Sequence, residues 1–460
     1  MIGEHFEIAV VGGGKAGKTL ATKSASAGRS VVMIEKGMIG GSCINVACIP
    51  TKTMVKSAEV AELTRRAADY GIRVAFEGAD PIGVRDRKRA VVAEMVGRNQ
   101  ANFDHSGMTL LIGSAHFTGP RSLEVRLGDG GARELTADKV FLNTGTRPAL
   151  PPLPGLVDAR PLDSESAQEL DRLPEHLIVV GGGYVGCEFA QMFRRFGSRV
   201  TLVERSEMFL KREDSDVAEH VLQLFRDDGI DVILGASVQR VEGVSGQSVR
   251  VRLQMPSGER AVEGSDLLAA LGRVPNTEEL NLPAADVETD DRGFIKVNDR
   301  LETTAESVWA LGDVNGGPQF THISLDDWRI VTANLSGGNR STADRLVPYT
   351  LFIDPELGRI GMTEAEARRR GSRLRVARMP AAKIPRAVTS GATRGYLKAV
   401  VDADSERILG ASIMAAHGGE IMAVIQVAMH AGLPYTALRD GIFAHPTMAE
   451  GLNDLFGSLE

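Results

Sequence analysis

Cysteine is scarce in this chain, with three residues among 460. So few cysteines cannot form the disulfide framework of a small secreted protein, and we expect a cytoplasmic location in which any disulfide is catalytic or regulatory. Long apolar runs are also missing, since none approaches the ~18–20 residues that span a bilayer. Glu4 and Glu7 lie in the first apolar segment, which does not fit a signal peptide.

An excess of positive charge is missing as well. The 53 lysines and arginines are outnumbered by 60 aspartates and glutamates, which gives a formal net charge of −7. The signs are interspersed, so no basic stripe is available for nucleic acid, and small substrates are favoured instead. The chain is too long for one hydrophobic core, and two or three domains are expected.

Residues 8–36 and 177–205 repeat one pattern at a constant offset of 169 residues. Each copy has an apolar strand, a G-x-G-x-x-G turn, a helix-compatible segment and a second strand that ends in an acid. This pattern predicts two βαβ dinucleotide-binding units, whose acids Glu35 and Glu204 accept hydrogen bonds from a ribose. The predicted phosphate-binding glycines are Gly12, Gly14 and Gly17 in the first copy and Gly181, Gly183 and Gly186 in the second.

Two dinucleotide sites in one chain suggest a tightly bound flavin and a nicotinamide that reduces it. We predict an α/β fold with two Rossmann-like domains: a flavin domain built from residues 1–150 and 273–345, and a nicotinamide domain at residues 151–272. Residues 346–460 are predicted to form a third, α+β domain. Glu204 argues for NADH, but Arg205, Lys211 and Arg212 can contact the extra phosphate of NADPH, so we expect a relaxed preference with NADH slightly ahead.

Cys43 and Cys48 lie in residues 40–52, GGSCINVACIPTK. Five residues of regular helix rise about 7.5 Å, which exceeds the roughly 4.4–6.8 Å Cα separation of a disulfide. If the two bond, the helix must therefore be bent between them. A helix start favours the reactive thiolate, whereas the alternative is a pair of buried structural cysteines.

These motifs resemble the class I flavoprotein disulfide reductases, such as glutathione reductase, dihydrolipoyl dehydrogenase and mercuric reductase, over nearly the whole chain. The resemblance implies FAD and NADH or NADPH as cofactors, and it makes Cys43 the outer thiol that meets the acceptor and Cys48 the inner thiol at the flavin. It also implies that Lys52 lies near the flavin and pairs with Glu188, where the alternative is two solvated charges.

Further segments match flavin-binding motifs of the same family. Thr144 and Gly145 lie in NTGTRP, Gly272 and Arg273 in GRVPN, and Gly312 and Asp313 in ALGD. The resemblance implies that Asp313 accepts a hydrogen bond from a flavin hydroxyl. It also places the start of a helix at residues 318–324, where the helix dipole would stabilise negative charge on the reduced ring.

Near the C-terminus, AHPTMAEGL contains His445 and Glu450. In the family, this histidine reaches the cysteines of the partner subunit as an acid–base catalyst, so a homodimer with a C-terminal dimerisation domain is implied. The glutamate would fix the tautomer of the imidazole and raise its basicity. No cysteine follows Cys187, so the terminal cysteine pair of mercuric reductases is missing, and we interpret Cys187 as a packing residue.

The acceptor is the open question. Several segments, among them GKAGKTLA and GIFAHPTMAEGL, resemble the reactive-chlorine-resistance branch of the family, which reduces copper(II). There Cys43 and Cys48 would bind the substrate ion. His322 departs from that branch, in which tyrosine is expected. The alternatives are a disulfide reductase of the dihydrolipoyl dehydrogenase type, a mercuric reductase and, as a non-enzyme, a redox sensor.

Overall fold

The computed structural model describes residues 4–343 and 345–459. They form two compact units. The first takes the described parts of Met1–Thr53, Gly83–Ala149 and Gly272–Arg345, and the second those of Met54–Ile82, Leu150–Leu271 and Leu346–Glu460. The domain limits drawn from the sequence stay predictions, and the compact units differ from them in assigning residues 54–82 to the second unit.

Each of the two repeats has the order strand, helix, strand, and helices also separate several of the other strands. The strands are β1 (Glu4–Val11), β2 (Val31–Glu35), β3 (Thr109–Gly119), β4 (Ser122–Leu127), β5 (Ala132–Leu142), β6 (Thr146–Pro148), β7 (His176–Val180), β8 (Arg199–Val203), β9 (Asp231–Ile233), β10 (Ser237–Val244), β11 (Ser248–Met255), β12 (Gly258–Gly264), β13 (Asp266–Ala269), β14 (Arg273–Pro275), β15 (Val308–Ala310), β16 (Tyr349–Leu351), β17 (Glu356–Gly361), β18 (Leu374–Pro380), β19 (Tyr396–Asp402) and β20 (Ile408–Ala415).

The α-helices range from single turns to a helix of 26 residues. They are α1 (Lys15–Ser26), α2 (Ser42–Asn45), α3 (Cys48–Arg65), α4 (Pro81–Ser106), α5 (Tyr184–Phe196), α6 (Ser215–Asp227), α7 (Thr321–Leu335), α8 (Glu364–Arg369), α9 (Pro385–Thr389), α10 (Gly418–His430), α11 (Thr436–Arg439) and α12 (Gly451–Gly457). In the part of the chain that the structure describes, none of them is long and apolar enough to cross a membrane.

A parallel sheet with strand order β3, β2, β1, β5 and β15 forms the centre of the first unit. All five residues of β2 are buried, as is typical of a parallel strand with both faces covered. Apolar side chains of α1 and α7 share one core cluster with β1 and β2. The distal halves of β3 and β5 pair with β4 in an antiparallel meander. The first predicted βαβ unit is therefore confirmed.

The second unit contains the second βαβ unit, in a parallel sheet with strand order β13, β7, β8 and β9. An antiparallel sheet of β10, β11 and β12 accompanies it. A five-stranded antiparallel sheet, ordered β16, β17, β20, β19 and β18, shares a core with α10 and α12. The predicted α/β class with a C-terminal α+β domain is confirmed.

Candidate redox active site

The cysteine pair lies where one helix stops and another begins. Cys43 is the second residue of α2, the chain leaves helical structure at Val46 and Ala47, and Cys48 is the first residue of α3. This interruption is the bend that the spacing required. All three cysteines are thiols in the structure, and the side chains of Cys43 and Cys48 hydrogen-bond to each other.

A third side chain contacts the pair. Thr321, the first residue of α7, has its hydroxyl oxygen 3.5 Å from Cys48 Sγ. The hydrogen bond with Cys48 raises the pKa of Cys43 above its ordinary value, and burial raises it further, while hydrogen bonding by Thr321 lowers it. Both thiols therefore interact with one hydroxyl in a partly buried site, where a single thiolate is favoured over two.

The first glycine motif brings β1, α1 and the end of β5 into close contact. Gly12 has φ of +99°, and a Cβ there would lie 2.4 Å from the carbonyl oxygen of Asn143. A Cβ on Gly17 would lie 2.2 Å from the carbonyl oxygen of Gly12, which is the helix–strand contact that requires glycine. Gly14 is the N-cap of α1 and has an extended conformation.

Glu35 ends β2 beside this motif and is buried. Its Oε2 accepts a hydrogen bond from the Gly13 amide at 2.7 Å, and its Oε1 accepts from the amides of Gly37 and Met38 at 2.9 Å. The carboxylate therefore organises the turn on both sides of the strand end, in addition to the ribose contact that the sequence predicts.

The residues after β5 connect it to the ALGD segment. Asn143 accepts a hydrogen bond from the Gly17 amide at 2.9 Å and donates one to the Leu311 carbonyl at 2.6 Å. Gly145 has φ of +68° and accepts a hydrogen bond from the Asn276 amide. The hydroxyl of Thr144 is buried and has no hydrogen-bond partner among the residues that the structure describes.

Asp313 lies at the same edge of the sheet. Its Oδ2 accepts a hydrogen bond from the Thr146 hydroxyl at 3.2 Å, and Arg273 holds Thr146 through two contacts of 2.7 Å. Burial raises the pKa of Asp313, while the charge of Arg273 lowers it. Gly312 and Gly272 have φ of +72° and +105°. The Gly312 amide donates to Asp327 Oδ2 at 2.7 Å.

These features fit the FAD that the sequence predicts. The α1 N-terminus offers its positive dipole end for a pyrophosphate, while the Ala16 and Gly17 amides already donate to Ser324 and Asn143. The buried Thr144 hydroxyl has hydrogen-bonding capacity that a ligand can use, since buried polar atoms are usually paired. A Cβ on Gly41 would lie 2.7 Å from Gly14 Cα, so the loop before Cys43 lies directly on the glycine motif.

The second glycine motif repeats this local geometry in the second unit. Gly181 has φ of +110°, Gly183 is the extended N-cap of α5, and a Cβ on Gly186 would lie 1.9 Å from the Gly181 carbonyl oxygen. Glu204 accepts hydrogen bonds of 2.8 Å from the Gly182 and Ser206 amides. The site therefore fits a second dinucleotide as well as the first site fits FAD.

The predicted residues Glu188, His445 and Glu450 lie in the second unit, whereas Lys52 lies in the first. Glu188 is buried on α5 and accepts a hydrogen bond from the Phe352 amide at 3.1 Å. Its pairing with Lys52 stays a prediction.

His445 Nδ1 lies 2.8 Å from Glu450 Oε2, and the imidazole side chain is 70% exposed. The dyad is therefore formed through Nδ1, which leaves the other ring nitrogen of His445, Nε2, for further contacts.

Cys187 is buried on α5 with its sulfur 3.6 Å from the Gly182 carbonyl oxygen, and burial raises the pKa of its thiol. It is a buried packing residue of the helix that follows the second motif.

Asn143, Thr321, Asp327 and Lys18 were not predicted as site residues. Asn143 directly precedes the predicted Thr144, and Lys18 directly follows Gly17. Their positions beside predicted motif residues could have identified these two as site residues.

Two family models match the chain: pyridine nucleotide-disulphide oxidoreductase over residues 6–327, and the dimerisation domain of that group over residues 347–456. The chain is 43% identical to the probable pyridine nucleotide-disulfide oxidoreductase RclA of Escherichia coli strain K12, with 98% of each chain covered. It is 34% identical to a mercuric reductase of Lysinibacillus sphaericus, with 98% of this chain and 82% of that protein covered. Among solved structures, it is similar to the Cu(II) complex of the HOCl-induced flavoprotein disulfide reductase RclA from Escherichia coli, with TM-score 0.90, 42% identity and 99% of each chain covered.

Proposed function

We propose, for a chain that belongs to the pyridine nucleotide-disulphide oxidoreductase family, that electrons from NAD(P)H pass through FAD and the Cys43–Cys48 pair to copper(II). The observation that carries this proposal is the hydrogen-bonded thiol pair at the interrupted helix. Its relevance to copper comes from the similar RclA protein, whose Cu(II) complex is known. Defence against reactive chlorine is the proposed physiological setting.

FAD and NAD(P)H are the cofactors of this family. The first glycine motif, Glu35, Thr144 and Asp313 would hold FAD, which supplies two-electron exchange with the nicotinamide and with a disulfide when bound. The second motif would hold the nicotinamide nucleotide. Glu204 already accepts two backbone amides, and its charge would repel a phosphate, so NADH is proposed as the slightly preferred donor.

The two cysteines are proposed to have different tasks. Cys48 begins α3 and contacts Thr321, which can donate a hydrogen bond to its thiolate. Cys43 is the outer thiol that meets the acceptor. Oxidation of this dithiol to the disulfide releases two electrons and two protons. The two electrons reduce two copper(II) ions to copper(I), and thiolate sulfur is a soft ligand that suits copper(I). Lys52 and Glu188 are proposed as a charge pair beside the flavin site.

A disulfide reductase is the second candidate, and the His445–Glu450 dyad favours it. Glu450 holds Nδ1 at 2.8 Å, which leaves Nε2 to exchange a proton with a leaving thiol. The exposed histidine and the match of residues 347–456 to a dimerisation domain support a homodimer in which the dyad serves the partner subunit.

An acceptor comparison tests the proposal. Purified holoenzyme is supplied anaerobically with NADH, and oxidation is followed with copper(II), mercury(II), lipoamide or glutathione disulfide at equal concentration. Copper(II) is expected to be far ahead. A large lead for a disulfide would replace copper reduction by disulfide reduction, and slow NADH oxidation with every acceptor would favour a sensor.

Cys43→Ser tests the thiol itself. The substitution is expected to abolish copper(II) reduction while reduction of the enzyme by NADH continues, because the outer electron donor is gone. Cys187→Ser is the matched control, since this buried thiol has no proposed redox part, and it should keep turnover. Unchanged copper reduction in Cys43→Ser would remove that cysteine from the mechanism.

A further inference from the structure

Lys18 has no part in the function proposed above, yet its side chain joins three elements around the redox loop. It lies on α1 one turn after Gly14, whose carbonyl oxygen accepts from its amide. Its ammonium group donates to Asn99 Oδ1 on α4 at 2.7 Å and to the Gly40 carbonyl oxygen at 3.2 Å. Gly40 comes three residues before Cys43, so the lysine binds the loop that leads to the outer thiol.

That loop is held by close contacts and hydrogen bonds. Gly40 and Gly41 have φ of +89° and +83°, a left-handed conformation that side chains other than glycine rarely adopt. Gly41 contacts Gly14 closely and is the N-cap of α2. On the other side, Asn45 donates to the Gly41 carbonyl oxygen at 2.9 Å. Fixing the Gly40 carbonyl therefore fixes the start of the helix that contains Cys43.

Lys18 also acts on Cys43 through its charge. Burial, followed by repulsion from Lys15, lowers the pKa of Lys18 to about 8, while the Cys43 thiolate raises it. In return, the positive charge of Lys18 lowers the pKa of Cys43 and opposes the effects of Cys48 and of burial. The groups that set the ionisation of Cys43 thus come from α1, α3 and α7: Lys18, Cys48 and Thr321.

We propose that Lys18 is a positioning residue for the outer thiol: its ammonium group fixes the glycine turn before Cys43 and stabilises the Cys43 thiolate. The inference rests on the proposed role of Cys43 as the thiol that meets the acceptor. On ionisation the thiol proton passes to solvent, and the thiolate remains beside a fixed positive charge. A thiolate reacts far faster than a thiol, so the lysine speeds the outer step.

Three substitutions separate the charge from the hydrogen bonds. Lys18→Met removes both, Lys18→Gln keeps a donor without charge, and Lys18→Arg keeps charge and donors. Lys23→Met is the control, since Lys23 is exposed on the same helix. The dithiol form of each holoenzyme is treated with iodoacetamide at one fixed pH, and the alkylation rate of Cys43 is measured by mass spectrometry of its peptide.

Lys18→Met and Lys18→Gln are expected to slow alkylation of Cys43 by roughly fivefold or more. Lys18→Arg should stay within about twofold of the parent rate, and Lys23→Met should leave the rate unchanged. Equal rates in all variants would overturn the proposal. A parent-like rate in Lys18→Gln, or equal slowing in Lys18→Arg, would also overturn it, because charge would then not be the cause. If Lys18→Met does not fold, the Gln and Arg variants still decide.

The copper(II) turnover of Cys43→Ser separates this inference from the proposed function. If that variant keeps turnover, the role of Cys43 is wrong, whatever the Lys18 variants do. If it loses turnover while the Lys18 variants alkylate at the parent rate, the function stands and the assignment of Lys18 falls.

Discussion

Glu213→Gln is expected to destabilise the second unit strongly, because it breaks a buried ion pair. The Glu213 side chain has no exposed surface, and that of Arg359 is 4% exposed. Arg359 Nε lies 2.9 Å from Glu213 Oε2, in a geometry too bent for a hydrogen bond. Glu213 Oε1 accepts hydrogen bonds of 2.8 Å from the hydroxyls of Tyr184 and Tyr349.

The size of the destabilisation follows from the interactions that a glutamine at position 213 cannot make. Its amide oxygen can still accept from the tyrosines, but its NH2 group faces the guanidinium, and Arg359 becomes a buried charge without its counter-ion. Removing one partner of a buried pair costs about 3–5 kcal/mol of unfolding free energy. At about 2 °C per kcal/mol, the lower end of the range for large domains, the apparent melting temperature should fall by about 6–10 °C.

The assay compares melting temperatures of the holoenzymes at one scan rate, since a chain of several domains need not unfold in a single transition. Glu279→Gln is the matched control: its partner is Lys36, both side chains are 67% exposed, and an exposed pair contributes about 0–1 kcal/mol. A fall in Glu213→Gln no larger than in Glu279→Gln would refute the reasoning, because the Arg359 charge would then be compensated by other groups.

Two further predictions concern the redox site. His445→Ala should lower turnover with a disulfide acceptor by about 10²-fold or more, because the leaving thiol loses its proton donor. The same substitution should lower copper(II) turnover far less. Equal losses of the two activities in steady-state assays would contradict this difference between the acceptors. Thr321→Val removes the hydroxyl that contacts Cys48 and should lower acceptor turnover about tenfold, since a hydrogen bond to a charged group is lost. Thr321→Ser should keep most of the rate, and a loss as large as that of the valine variant would contradict the assignment.

The glycine motifs could be predicted from the sequence because their requirement is local. Gly12 and Gly181 both have positive φ, and a Cβ on either would lie within 2.4 Å of the carbonyl oxygen of the residue that directly follows a neighbouring strand. Such a position admits only glycine, so spacing alone indicates the fold. The interruption between Cys43 and Cys48 was predictable for the same reason, because helix rise and disulfide length are both fixed quantities.

Contacts between distant parts of the chain could not be predicted in this way. Asn143 joins Gly17 to Leu311, 126 residues before it and 168 residues after it. The partners of Glu213 likewise come from two different domains of the sequence-based division. Such contacts depend on how the elements pack, and no periodicity or motif specifies them. Lys18 shows the same limit, because its partners Gly40 and Asn99 are known only once α1, α4 and the redox loop are in place.

Helix α7 shows how one element sets several parts of the site. Thr321, Ser324 and Asp327 are spaced by three residues and therefore share one face. Thr321 contacts Cys48, Ser324 accepts a hydrogen bond from the Ala16 amide of α1 at 3.2 Å, and Asp327 accepts one from the Gly312 amide. The sequence analysis predicted this helix start because its dipole would stabilise negative charge on the reduced flavin. The face formed by these three residues also holds the neighbouring elements in place. Because all three contacts lie on one rigid helix, the inner cysteine, the glycine-motif helix and the Gly312 turn keep their mutual positions, which a two-electron relay between fixed groups requires.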